Sequence, residues 1–440
     1  MRLLRPVFLF LLASFLPMAC QRETIIPEQV TPGVRPSVIP EKLDSLPRVY
    51  ITVPEAITSR DVWTDSCSIR IVAPIQGRDS LLYEADSLQV KGRGNSTWTY
   101  FPKKPYALKL NEKANFLGTG KTRRWVLLAN WMDRTLLRNQ VALEAARRTS
   151  LEWTPSGISV ELFMNDPDNP DLGFVYQGID WLGEKVRVEG SHFDADYFYC
   201  FDTSSKKEKD YSAWCHFMKG GVWQEGEVPV TLEYPDRDDY PEYYWISYLK
   251  DASLAALQEV EDAIYHMGTD TWRSKVDLNS FCDWYIIYEL CYNSEPRHPK
   301  SCYFYIRDGV LYAGPAWDFD WGTFRKSDDL PRLRIRSSLY YFQLFPQPAF
   351  RSRLKARWKL LKPRFESLLD YIDQQAAWIG PQEDRNHRMW PCYPNPQASS
   401  ESEGHVNYDE DLTFSEAVDK MKEALQWRID ILDEQFALLD

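Results

Sequence analysis

The sequence of 440 residues lacks several features, and each absence excludes a class of protein. After the amino-terminal residues there is no run of eighteen apolar residues, so no later segment is long enough to span a membrane as a helix. Only 6 His are present and no two Cys have the Cys-x-x-Cys spacing, which argues against a zinc site. The net charge is -12 without a long basic block, so we do not expect nucleic acid as a partner.

The residues that are abundant indicate a globular protein. Hydrophobic residues make up 44% and aromatic residues 14% of the chain, which is enough for a sizeable core. The length has room for about two or three ordinary domains, or for one large domain with appendages.

The amino terminus has the pattern of a signal peptide, which we predict over residues 1–19. A short basic start is followed by an apolar stretch, residues 7–16, that is too short to span a membrane. The residues before Cys20 resemble the lipobox of bacterial lipoproteins, although Pro17 stands where Leu is more usual. We therefore expect an exported protein held by a lipid on Cys20 at the outer membrane or cell surface, facing the periplasm or the exterior. The alternative is an ordinary secretory signal and a soluble periplasmic product.

The residues that follow Cys20 predict a flexible tether over 20–46, because they are rich in Pro, Glu and Val and show little periodicity. Without Cys20, seven of the 8 Cys remain. The odd number means that at least one is unpaired or pairs between chains, and one or two disulfides stay open for an exported protein.

The remainder, residues 47–440, predicts an α+β domain with a sheet-rich part (47–190) and a mostly helical part (191–440). The first part is expected to be an antiparallel sheet with one helix, and the second to begin with a polar excursion over residues 191–242. Period-2 patterns predict strands at 49–53, 67–72, 88–91, 104–110 and 125–129, and hairpins at 158–182 and 302–313. Helical spacing predicts helices at 133–150, 244–267 and 278–293, the last of them buried.

Two carboxylates, Asp318 and Asp320, stand between aromatic residues just after the second predicted hairpin. On an extended segment they would point to opposite faces, whereas on a turn both can converge on one hard cation. The sequence therefore suggests a metal site. The alternative is a buried aromatic turn whose aspartates cap backbone amides.

A Gly-rich turn at residues 92–97 precedes the basic segment 103–109, and together they could cradle a phosphate. The turn matches neither a Walker sequence nor a dinucleotide-binding fingerprint, and a tight turn with a solvated basic face is the alternative. Combined with the acidic turn, these parts are typical of a phosphotransferase. Arg138, Asn139 and Glu144 on the predicted helix could add a polar contact.

Five segments, read in order, resemble the CotH kinase family: 93–98, 103–109, 125–130, 133–139 and 312–320. The resemblance covers about residues 88–324 and extends into the carboxy-terminal helices. It implies an atypical protein-kinase-like fold in which Mg-ATP phosphorylates serine on a protein substrate.

The resemblance also implies roles for particular residues. Asp318 matches the aspartate that binds Mg²⁺, with Asp320 beside it, and either Lys104 or Lys109 is the lysine that contacts phosphate. Arg93 and Ser96 lie in the turn that faces the nucleotide, and Asn139 is a further nucleotide-site residue.

The sequence departs from the family before the second hairpin. Glu295 stands where the family has its catalytic aspartate, and Ser301 stands at the second metal-binding position, next to Lys300. The segment 177–180 also lacks the usual Thr-Glu. Glutamate can accept a proton as aspartate does, but its longer side chain moves the carboxylate.

Three functions follow from this inventory. The first is an exported lipoprotein that transfers phosphate from Mg-ATP to a protein serine or another hydroxyl acceptor. The second is a catalytically inactive surface module that binds glycan or protein, because ATP is scarce outside the cytoplasm. The third is hydrolysis by the carboxylate pair Glu295 and Asp318.

Overall fold

A computed structural model of the protein describes residues 43–116, 121–189, 192–203, 211–266, 270–326, 332–392 and 407–439. The predicted signal peptide, Cys20 and residues 20–42 of the predicted tether lie outside these ranges. Within them, no helix is long and apolar enough to cross a membrane.

The amino-terminal part is a closed barrel of seven strands. The strands are β1 (Arg48–Thr52), β2 (Thr64–Ile75), β3 (Arg78–Gly92), β4 (Tyr106–Ala114), β5 (Thr122–Leu128), β6 (Gly157–Asn165) and β7 (Phe174–Glu184). They follow the order β1-β2-β3-β4-β5-β7-β6, and a parallel pairing of β1 with β6 closes the barrel. The expected antiparallel sheet is therefore present, but it has one parallel pair and is closed.

Alternation along each strand decides which side chains fill the barrel and which face outward. On β4, Leu108 and Leu110 are buried in the barrel core. Ala107 points the other way, into a cavity that it shares with Trp317 from the second half of the chain. The outer surface of β3 to β5 thus forms one wall of a cleft.

A second sheet has five antiparallel strands. They are β8 (Tyr197–Phe201), β9 (Tyr211–Lys219), β10 (Val222–Tyr234), β11 (Cys302–Arg307) and β12 (Val310–Ala313), in the order β12-β11-β8-β10-β9. The prediction of a polar excursion over 191–242 is wrong, because three of these strands lie there. Their polar residues alternate with fully buried apolar ones such as Phe198, Cys215 and Val230. Because one face of each strand is polar, the segment reads as polar in sequence and the period-2 pattern of strands was not recognised.

The helices pack around the second sheet and against the barrel. They are α1 (Ser96–Tyr100), α2 (Arg138–Arg147), α3 (Glu242–Tyr244), α4 (Asp251–Tyr265), α5 (Leu278–Leu290), α6 (Tyr341–Leu344), α7 (Pro348–Glu366), α8 (Leu368–Met389) and α9 (Phe414–Ala437), with a π-helical turn at Trp245–Lys250. The predicted burial of α5 is confirmed, and α5 packs on α2, α7 and α9. α8 contacts β7 and so joins the helices to the barrel.

The α+β class is confirmed, as are both predicted hairpins and the three longer predicted helices. The cysteines of the described ranges are all free, so the disulfides left open by the sequence are not formed there.

Candidate active site

The three acidic residues singled out from the sequence meet in one cavity of about 640 Å³. Glu295, Asp318 and Asp320 line it together with Asp202 from the end of β8. The opposite wall is the Gly-rich turn after β3, residues 93–97. The cavity therefore lies between the barrel and the second sheet.

The backbone of the acidic turn brings both aspartates to the same cavity. β12 ends at Ala313, and Asp318 in the turn that follows has a φ of 72°, a left-handed conformation that few non-glycine residues adopt. The turn is held from behind, because Asn139 accepts a hydrogen bond from the Phe319 N–H (2.9 Å) and Tyr288 donates one to the Trp317 carbonyl (2.8 Å). Asn139 is thus a support of the turn and is not among the residues that line the cavity.

The carboxyl groups of Asp318 and Asp320 lie within hydrogen-bonding range of each other. Burial, followed by the charge of Asp318, raises the pKa of Asp320 to about 8, and the nearby Arg93 opposes this rise. Like charges this close disfavour ionisation of Asp320, which therefore keeps its proton at neutral pH in the absence of a cation.

Glu295 begins a short 3₁₀ helix, Glu295–Arg297, that faces the aspartates. Burial, and then the charge of Asp318, raises its pKa well above the ordinary value, whereas Lys300 lowers it. The fully buried Asn293 fixes this segment by accepting a hydrogen bond from the Glu295 N–H at 2.8 Å. Two carboxyl groups of the cavity, those of Glu295 and Asp320, therefore favour the neutral form.

The donor atoms fit a hard cation such as Mg²⁺. The described residues contain no group of three or more His, Cys, Asp or Glu side chains placed to hold a metal ion. Mg²⁺, however, is usually held by one or two carboxylates together with phosphate and water oxygens. Asp318 and Asp320 supply such a pair, and Ser301 lines the same cavity.

The lysines predicted to contact phosphate lie elsewhere. Lys104 donates to the carbonyl oxygens of Trp98 (2.7 Å) and Phe101 (2.6 Å), so its ammonium group fixes the end of α1. Lys109 lies on the outer face of β4, 5.9 Å from the Trp63 ring, and is absent from the described lining of the acidic cavity. The expected approach of either lysine to the aspartates is not what the structure shows.

A second cavity of about 620 Å³ adjoins the first on the other side of the Gly-rich turn. Its walls combine apolar residues of the barrel, such as Ala107 and Val126, with the aromatic residues Tyr303 and Trp317. Lys91, Lys185 and Arg60 also line it. The cleft thus has an acidic compartment and a compartment that is both aromatic and basic.

The Gly-rich turn between the two cavities is fixed in place. Arg60 donates to the Gly94 carbonyl (2.8 Å) and to the Asn95 side chain (2.9 Å). Arg93 lies 5.9 Å from the Trp317 ring and lines both cavities, whereas Ser96 lines the acidic one.

Sequence reasoning did not identify Asn293, Lys91 or Arg60 as site residues. The position of Asn293, two residues before Glu295, was a usable signal. Lys91 directly precedes the Gly-rich turn, which was a second usable signal, whereas nothing local marks Arg60, because its contact with the turn spans 34 residues.

The fold and the site define an α+β protein with a cleft that is divided into an acidic compartment and a basic, aromatic compartment. Residues 90–430 match the family described as CotH kinase protein, and the chain belongs to this family. The resemblance drawn from the sequence motifs is thereby confirmed. No curated protein matches the chain.

Proposed function

We propose that the protein transfers the γ-phosphoryl group of Mg-ATP to a hydroxyl group, on a serine of a protein or on a glycan of the cell envelope. The observation that carries this proposal is the convergence of Glu295, Asp318 and Asp320 on one cavity beneath the Gly-rich turn. Membership of the CotH kinase protein family supports it.

In this proposal the barrel and the carboxy-terminal part act as the two lobes of a kinase-like fold, with ATP in the cleft between them. The second cavity suits the nucleoside, because Ala107 and Val126 offer an apolar wall and Trp317 an aromatic one. Lys91 and Arg93 are two of the cations that the cleft offers to the phosphates.

Asp318 and Asp320 would hold Mg²⁺, with Ser301 near them, and the ion would supply charge neutralisation at the phosphates. Glu295 is the residue placed to orient the acceptor hydroxyl and to take its proton. It can do so only when ionised, and the positive charge of Lys300 favours that form. Asn293 and Asn139 position the two acidic segments.

We further propose that the protein acts outside the cytoplasm, where a lipid on Cys20 would attach it to the outer membrane or cell surface. The signal-like amino terminus and the lipobox-like residues before Cys20 support this location. Mass spectrometry of the membrane-extracted protein tests it, and a mature chain without lipid on Cys20 would refute it.

The raised pKa of Glu295 favours an alternative, in which the protein is a catalytically inactive module that binds protein or glycan. Two measurements distinguish the functions: calorimetric titration of Mg-ATP, and incubation of the protein with labelled ATP, Mg²⁺ and cell-envelope extract. Transfer of label that is lost in Asp318→Ala supports the kinase. If neither nucleotide binding nor transfer of label is detected, the binding module is the function that remains.

A further inference from the structure

A third cavity, of about 320 Å³, lies on the outer surface of the barrel. It shares no lining residue with the two cavities of the cleft. β3 passes through both regions, because Glu84 lines the third cavity and Lys91 lines the cleft. Seven residues of extended strand place these two positions about 20 Å apart.

Two aromatic rings form the apolar part of this groove. Tyr50 packs edge-on against Phe174, with ring centroids 5.1 Å apart and an interplanar angle of 69°. Tyr50 also stacks on Phe163 at 5.1 Å, which fixes its orientation. Phe174 is 48% exposed, although it is a large apolar side chain on a strand that is paired in the barrel. Two fixed rings at a steep angle provide a floor and a wall for a ligand with a flat apolar face.

Apart from Ile69 and Ala85, the rest of the groove is polar. Thr52 and Ser68 contribute hydroxyl groups, while Arg70, Glu84 and Asp86 contribute charged, planar groups. Arg70 and Glu84 form an exposed ion pair at 3.7 Å, which is longer than a direct hydrogen bond. Both groups therefore keep the capacity to bond to ligand hydroxyls.

This combination excludes several kinds of ligand. A peptide cannot add as a strand within the groove, because the groove lies on the face of paired strands, where Arg70 of β2 is paired with Tyr50 on one side and with Glu84 on the other. A polyanion is disfavoured, because two carboxylates face one arginine. A lipid or other wholly apolar ligand would leave these charged groups without water or a partner.

We infer that this groove is a binding site for neutral saccharides, separate from the proposed active site. The apolar face of a sugar ring packs against Tyr50 and Phe174, and its hydroxyls bond to Thr52, Ser68, Arg70 and Glu84. The inference does not rest on phosphotransfer, because no residue of the cleft takes part. Such a site would hold the protein on glycan, whatever reaction the cleft performs.

Affinity electrophoresis of the full-length protein tests the inference, in native gels that contain a soluble neutral polysaccharide. The panel is β-glucan, galactomannan, xylan and dextran, with polygalacturonate as the anionic comparison and no nucleotide present. We expect at least one neutral polysaccharide to retard the protein. Phe174→Ala should weaken this binding by about tenfold, because one stacking ring is lost. Glu84→Gln should weaken it less.

Leu172→Ala is the matched control, because Leu172 is 62% exposed on the same hairpin and does not line the groove. Its retardation should equal that of the unmodified protein. Three results would overturn the inference: no retardation by any neutral polysaccharide, retardation by polygalacturonate alone, or retardation that Phe174→Ala leaves unchanged. None of them bears on Mg-ATP binding, so failure here is distinct from failure of the proposed function.

Discussion

Asn293 donates its side-chain amide to the main-chain carbonyl of Asp318 at 3.1 Å and thereby joins the two acidic segments of the cleft. The same amide group donates to the Thr323 hydroxyl (3.1 Å), and its oxygen accepts from the Glu295 N–H (2.8 Å). One buried side chain thus fixes the loop before β11 relative to the turn after β12. The separation of Glu295 and Asp318 depends on it.

Asn293→Ala should destabilise the protein, because it leaves several buried polar groups without a partner. We expect a loss of about 2–4 kcal/mol in the free energy of unfolding, measured in urea. Thr323→Val is the control, since it removes only one of the three bonds, and should cost about 1 kcal/mol. Equal losses in the two variants would contradict the central role of Asn293.

Asp320 should make the metal-free protein less stable as the pH rises. The pKa of its carboxyl is about 8 in the folded protein, against an ordinary value of 3.8. Between these values the folded state holds a proton that the unfolded chain has released, so the free energy of unfolding falls with increasing pH. Thermal melts in chelator-containing buffers should show this fall, and saturating Mg²⁺ should reduce it.

Asp320→Asn should flatten this pH dependence and raise the melting temperature at pH 8 by a few degrees. The exposed Asp171→Asn variant is the control and should keep the slope of the unmodified protein. A slope that is unchanged in Asp320→Asn would show that another group is responsible.

The adjacent lysines Lys103 and Lys104 should respond differently to removal. The Lys103 ammonium is buried, pairs with Asp180 at 2.8 Å and donates to the carbonyl oxygens of Ala129 and Ile179. Lys103→Met leaves the buried Asp180 unpaired and should cost about 3–5 kcal/mol of unfolding free energy. Lys104→Met, at a half-buried position, should cost about 1 kcal/mol. Similar losses, measured by chemical denaturation, would refute the distinction.

The contrast between these lysines shows which site residues can be identified from the sequence and which cannot. Asp318, Asp320 and Glu295 could be chosen from local chemistry and motif, and the structure brings them to one cavity. The choice among lysines depends on which side of the segment faces the interior. The Lys103 side chain faces the interior because it pairs with Asp180 on β7. Asp180 is distant along the chain, so residues near Lys103 do not indicate this orientation.

The closure of the barrel could not be predicted from local sequence for the same reason. It requires β1 to pair with β6, more than a hundred residues later, and no local pattern marks that pairing. The strands β8 to β10 were missed because their exposed faces are polar. Local periodicity therefore predicted single hairpins and helices well, whereas long-range pairings remained undetermined.

Lys91 should contribute to nucleotide binding if the second cavity holds ATP. It lines that cavity, whereas the Lys104 ammonium is bonded to two backbone carbonyls. Lys91→Met should weaken Mg-ATP binding by about tenfold, because a charge-assisted contact to phosphate is lost. Lys104→Met should leave the dissociation constant unchanged. Calorimetric titration of both variants gives the comparison, and the reverse order of effects would place the phosphates near α1.

Glu295→Gln should separate binding from chemistry. The substitution keeps the shape of the side chain but removes the group that takes the acceptor proton. We therefore expect unchanged Mg-ATP affinity and a fall of about 10² in turnover, measured with labelled ATP. Because the pKa of Glu295 is raised, turnover of the unmodified protein should increase with pH as this carboxyl ionises, and Glu295→Gln should lose that dependence.

Two further variants make the result specific to Glu295. Ser294→Ala changes the neighbouring residue of the same cavity and should retain both turnover and its pH dependence. Glu295→Asp restores the carboxylate type of the family and keeps a proton acceptor, so it should retain more turnover than Glu295→Gln. If Glu295→Gln transfers phosphate as fast as the unmodified protein, Glu295 is not the base. The raised pKa of Glu295 would then only reflect its burial and the nearby charge of Asp318.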